Sequence, residues 1–76
     1  MPRLEGKTAI DNRIPELRAA RGLTQQEVAD AVDVTRATIV ALEKGNYNPS
    51  LELAFRLARF FKVGIEDLFF ERRSRP

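Results

Sequence analysis

The side chains that usually carry covalent or metal chemistry are nearly absent from this chain of 76 residues. It has no histidine and no cysteine, and Ser50 and Ser74 are its only serines. A serine nucleophile needs a base beside it, and structural zinc, iron–sulfur clusters and histidine-held haem need ligands that do not occur here. The carboxylates are scattered over caps and helix surfaces instead of paired. No enzyme, metal, cofactor or small-molecule ligand is therefore expected. What remains is contact chemistry by guanidinium, ammonium, amide and hydroxyl groups.

Charge alone does not name a partner for those groups. Thirteen Lys and Arg stand against eleven Asp and Glu, a net charge of only +2. The surplus sits at the ends, in Arg3 and Lys7 against Glu5, and in Arg72, Arg73 and Arg75 against Glu71. A basic end is more often a solvated surface than an arm on an anionic partner. Lack of cysteine fits a cytoplasmic protein. No apolar run approaches the roughly 20 residues of a membrane span, and Met1-Pro2-Arg3-Leu4-Glu5-Gly6 does not read as a signal peptide.

The elements that must position the polar groups are helices. From Ile10 to Phe70 apolar residues recur at spacings of three and four, and no stretch alternates long enough to predict a sheet. Ile10, Ile14 and Leu17 mark one face of a first helix that begins at about Asn12 to Ile14, with Pro15 in its first turn and Gly22 at its end. Thr24-Gln25-Gln26-Glu27 is a capping box, flanked by Leu23 and Val28 as a hydrophobic staple. That second helix turns Val28, Ala29 and Val32 inward and ends around Asp33. Val34-Thr35 caps a third, from about Arg36 to Lys44, which stops at Gly45. After the loop Asn46-Tyr47-Asn48-Pro49, Ser50 caps a fourth helix burying Leu53, Ala54, Leu57 and Ala58. Gly64 precedes a last turn over Ile65 to Phe69, and most of the five phenylalanines are expected in the core.

These readings predict one all-α domain over residues 10–70, a flexible N-terminal arm over 1–9 and a basic tail over 71–76. There is no internal repeat or linker. Two helices joined by a turn of about three residues at Asp33 have the geometry of a helix-turn-helix, in which the second helix enters the major groove. The unit spans about residues 24–44.

At this point the sequence resembles the Cro and phage-repressor type of helix-turn-helix regulator, the Xre family. The resemblance runs from about Asn12 to Phe70. It is carried by Arg21-Gly22-Leu23-Thr24-Gln25-Gln26-Glu27-Val28-Ala29, Thr35-Arg36, Leu42-Glu43-Lys44-Gly45, Asn48-Pro49-Ser50-Leu51-Glu52-Leu53-Ala54 and Ile65-Glu66-Asp67-Leu68-Phe69. The resemblance implies a five-helix, lambda-repressor-like domain that binds double-stranded DNA as a symmetric homodimer and regulates transcription. It implies that Gln25, next to the cap Thr24, meets a phosphate and braces the third helix. Bases would be read by Thr35, Arg36, Ala37, Val40, Ala41 and Lys44, with Thr38 near a phosphate and Asn46, Tyr47 and Asn48 along the backbone.

Arg36 is suited to a bidentate contact with guanine O6 and N7, whereas Ala37, Val40 and Ala41 can only touch thymine methyls or leave room. Val40 reads equally well as a packing residue. Phe69 and Phe70, adjacent on a short helical turn, cannot both enter one core, so a dimer interface is expected there. Three positions depart from the family pattern: Asp33 stands in the turn where glycine is common, Lys62 where glycine ends the fourth helix, and Gly64 where Ser or Thr caps the last. The residues leave a second use of the same fold open, as an antitoxin or other module that grips a protein.

Overall fold

Short polar side chains start three of the helices. In the computed structural model, which describes residues 9–72, Thr24 accepts from the Glu27 N–H at 3.0 Å and its own N–H donates to the Glu27 carboxylate at 2.8 Å. This reciprocal pair opens α2, Gln25–Val32. Thr35 opens α3, Arg36–Glu43, and Ser50 opens α4, Leu51–Phe61, each accepting from the N–H three residues on. α1, Ile14–Ala20, has Pro15 in its first turn, where the absent N–H has no partner to lose. α5, Ile65–Leu68, lacks a side-chain cap at Gly64, and only Asp67 reaches back, accepting from the Gly64 N–H at 3.2 Å.

Every helix contributes to one core. Ile14 from α1, Val28 from α2, Ile39 and Leu42 from α3, Leu57 from α4 and Leu68 from α5 are all buried to 1% exposure or less. Two helix ends are closed by residues other than glycine in the left-handed region, Asp33 at φ 64° and Lys62 at φ 60°. These are two of the positions where the family pattern has glycine.

The structure corrects the helical reading at both ends of the domain. β1, Ala9–Asn12, pairs antiparallel with β2, Phe69–Arg72, so that Asn12 faces Phe69 and Ala9 faces Arg72. Ile10 therefore belongs to a strand, not to the face of α1, and Phe69 and Phe70 lie on β2, not on a helical turn. The cause is non-local: with the ends side by side, their backbone groups find partners across the pair. The paired region extends past residues 10–70 at both ends, while residues 1–8 of the expected arm and 73–76 of the expected tail lie outside the described residues. Among the phenylalanines Phe61 is buried, Phe60 and Phe69 pack partly against the core, and Phe55 and Phe70 stay 48% and 37% exposed.

Candidate nucleic-acid interface

α3 shows two faces. Ile39 and Leu42 are buried, while Arg36, Ala37 and Lys44 are exposed and Thr38, Val40 and Ala41 are half-buried between them. Thr35 is exposed at the N-cap, and its hydroxyl lies 3.2 Å from that of Thr38. At the other end Gly45, at φ 77°, lets its N–H and that of Asn46 donate back to the carbonyls of Leu42 and Ala41, both at 3.0 Å. The chain then leaves with Asn46, Tyr47 and Asn48 all exposed. The exposed members thus fall in two groups, Thr35 to Ala37 at the start of α3 and Lys44 to Asn48 after its end, with half-buried Thr38, Val40 and Ala41 between them.

What holds α3 in place is a carboxylate. Glu43 accepts from Arg18 Nε at 2.8 Å, Arg18 Nη2 at 3.1 Å and Gln25 Nε2 at 2.9 Å, which ties α1, α2 and α3 at one point. Arg18 also donates to the Leu23 carbonyl at 3.1 Å. The hydrogen bond to Glu43 lifts the Arg18 guanidinium above the ordinary arginine pKa against the opposing effect of burial. Gln25 thus braces the third helix through Glu43. Its amide nitrogen carries two N–H donors, of which this bond uses one.

Arg18 and Glu43 were not among the site residues expected from sequence, yet the pattern that marks them is simple. Ile14, Leu17 and Arg18 follow one another at i, i+3 and i+4, and so do Ile39, Leu42 and Glu43. Each charged residue therefore falls on the apolar stripe of its helix, where a charge needs a partner. A base on one such stripe and an acid on another form a pair. Other arginines tie the fold together: Arg21 donates to the Phe60 and Phe61 carbonyls at 3.0 and 2.9 Å, and Arg56 to the Val32 carbonyl at 3.3 Å and to Glu52 at 2.7 Å.

Phe69 and Phe70 are brought next to different surroundings because side chains alternate along a strand. Phe70 lies under the Arg13 guanidinium, 4.9 Å from its ring centre. Phe69 lines an open groove of about 310 Å³ with Ile10, Asn48, Pro49, Leu51, Ala54 and Ile65. Leu51 on its rim is 71% exposed. Among the described residues no helix is long and apolar enough to cross a membrane.

Comparison with known proteins agrees with this architecture. A helix-turn-helix family model, HTH_3, matches residues 14–68. An HTH-type transcriptional regulator of Archaeoglobus fulgidus is 61% identical over 57 residues, 75% of this chain and 81% of that one. The cryptic phage CTXphi transcriptional repressor RstR of Vibrio cholerae is 42% identical over 59 residues, 78% of this chain and 53% of RstR. Among solved structures, the restriction-modification controller protein C.AhdI of Aeromonas hydrophila superposes with a TM-score of 0.67 at 31% identity, over 72% of this chain and 83% of C.AhdI. The transcriptional regulator VanUg gives 0.75 over 97% of this chain and 100% of VanUg, at 21% identity, a likeness of fold. The chain belongs to the Cro and phage-repressor type of helix-turn-helix transcriptional regulators.

Proposed function

We propose that this protein regulates transcription in the cytoplasm by binding a palindromic operator as a symmetric homodimer, with α3 of each copy in the major groove. The observation that carries the reading is the two-faced α3: Ile39, Leu42 and Glu43 hold it, while Arg36, Ala37 and Lys44 face outward without a buried partner. In this reading Arg36 reads a guanine edge, Lys44 and Thr35 reach base edges at the two ends of α3, Ala37, Val40 and Ala41 meet thymine methyls, and Thr24, Gln25, Thr38, Asn46, Tyr47 and Asn48 meet the sugar-phosphate backbone. The second copy docks at the end of the molecule that bears the strand pair, with Phe69 and the groove rimmed by Leu51 on one face of β2 and Phe70 on the other; two copies are needed because one small module covers too few base pairs, and they sit about 34–36 Å apart on the duplex.

A DNA sequence selected by the protein from a random pool is the probe. Arg36→Ala should cost about 1–3 kcal/mol on that sequence and relax preference at one base pair per half-site, whereas Gln25→Ala should weaken all sequences alike. Equal losses for Arg36→Ala on selected and random DNA would refute the base contact. Sedimentation of Leu51→Glu, whose side chain is exposed enough to accept a charge without unfolding, should show a monomer where the parent is a dimer on the palindrome. A parent that stays monomeric there removes the dimer. Binding that hardly changes with salt would favour a protein partner, since each neutralised phosphate contributes about −0.9 to the logarithmic salt slope.

A further inference from the structure

Asn12 is the one buried polar residue among those described, 8% exposed, and its amide is used at both ends. Its Oδ1 accepts from the Ile14 N–H at 3.0 Å, which turns the chain from β1 into α1. Its Nδ2 donates to the Leu42 carbonyl at 2.8 Å, thirty residues away in sequence and in the last turn of α3. The same carbonyl also accepts from the Gly45 N–H at 3.0 Å, a bond that moves with the end of the helix, so Asn12 is the donor that ties this end to a different part of the chain. Asn12 itself is held by strand pairing opposite Phe69, and the next residue, Arg13, donates its N–H to the Leu68 carbonyl at 2.9 Å. The side chain therefore joins the strand pair, the start of α1 and the end of α3.

We infer that Asn12 is a positioning residue for DNA sequence readout, locking the C-terminal end of α3 to the strand pair. The inference rests on the reading of α3 as the base-contacting helix. Leu42 directly precedes Glu43 and Lys44, and Asn46 to Asn48 follow within one turn of loop, so tilt at this point displaces the end of the proposed DNA surface. Glu43 clamps this end from α1 and α2, and Asn12 clamps it from the terminal strands. In a dimer built beside Phe69, the same amide sets where α3 stands relative to the twofold axis. Displacement of about 1 Å at such a site weakens geometry-dependent contacts far more than phosphate attraction.

The test separates the two hydrogen bonds. Asn12→Asp keeps an oxygen for the Ile14 N–H and removes the donor to Leu42; Asn12→Ser keeps an accepting oxygen without adding charge, and its single hydroxyl, on a shorter side chain, does not span to the Leu42 carbonyl as Nδ2 does. Affinities are measured for the DNA sequence selected by the parent and for random DNA at one salt concentration. Each variant, with parental helix content by circular dichroism, should lose about three- to tenfold in the ratio of selected to random binding, the scale of one hydrogen bond to a fixed group. A purely structural role would lower both affinities by one factor and leave the ratio unchanged, and that result overturns the inference. Should Asn12→Asp fail to fold, Asn12→Ser decides. A parent with no preference among DNA sequences overturns the reading of α3 itself, whereas a discriminating parent with equally discriminating variants overturns the assignment of Asn12 alone.

Discussion

The α2–α3 unit and the terminal strand pair stabilise the same domain by opposite means. In the first, each helix is started by a threonine three residues before the N–H it satisfies, and Gln25 and Glu43 join the two helices across 18 positions of sequence. In the second, residues about sixty positions apart meet through backbone pairing, with Ala9 opposite Arg72 and Asn12 opposite Phe69. The helix unit specifies its own geometry through side chains. The strand pair gains its geometry only once the helices have brought the ends together, because a lone two-stranded ribbon is marginal in water. Side-chain substitutions should therefore damage the first region more than the second.

The largest effect is expected at Glu43. Glu43→Ala leaves Arg18, only 23% exposed at its side chain, without its carboxylate and frees Gln25, so the domain should lose about 2–4 kcal/mol in urea unfolding. The pH dependence follows from the sign of the Arg18 shift. A cation whose folded pKa is raised contributes stability that is fully present below its unfolded pKa and lost only above it. The penalty of Glu43→Ala should thus be the same between about pH 6 and 9. A loss below about 1 kcal/mol would mean that packing of Ile39 and Leu42, not the carboxylate, holds α3.

Next comes the capping box. Thr24→Ala removes the acceptor for the Glu27 N–H and should cost about 0.5–2 kcal/mol, read from the urea midpoint at unchanged slope. An unchanged midpoint would show that water replaces the hydroxyl at this exposed end. In the strand pair the matching substitution is Phe70→Ser, which gives up the Arg13 contact and a partly exposed ring, and should cost about 0.5–1 kcal/mol in the monomer. A larger loss there than for Thr24→Ala would reverse the comparison.

The same contrast explains what could be read from the sequence. Thr24, Thr35 and Ser50 mark their helix starts because a cap and the N–H it satisfies are three residues apart. The apolar stripes through Val28, Ile39 and Leu57 mark the core for the same local reason. β1 and β2 are four residues each, too short for an alternating pattern, and their partner is at the far end of the chain. Ile10, four residues before Ile14, consequently matches helical spacing although it lies on β1. The Glu43 clamp lies between these cases: Arg18 and Glu43 each sit on an apolar stripe, a legible anomaly, but which base meets which acid depends on how α1 and α3 cross. Asn12 carried no such sign, since a polar residue before a helix is ordinarily a solvent-facing cap.

The smallest effects belong to the two left-handed residues, and they compare the regions most closely because the backbone conformation is nearly the same, φ 64° and ψ 48° at Asp33 against φ 60° and ψ 44° at Lys62. Asp33 closes α2 just before α3, and Lys62 closes α4 just before α5 and the strands. Glycine relieves the contact between Cβ and backbone at φ > 0 but also gives the unfolded chain more freedom to lose, so the two terms partly cancel. Aspartate tolerates this region better than lysine, because its short side chain can bond locally to backbone. Lys62→Gly should therefore stabilise by up to about 1 kcal/mol, and Asp33→Gly by less. Thermal unfolding of both variants and the double variant checks this, with the gains adding if the two turns act independently. If Asp33→Gly lost stability while Lys62→Gly gained it, the carboxylate would be part of the turn, and the helix-turn-helix would depend on a side chain at a position where its family commonly has none.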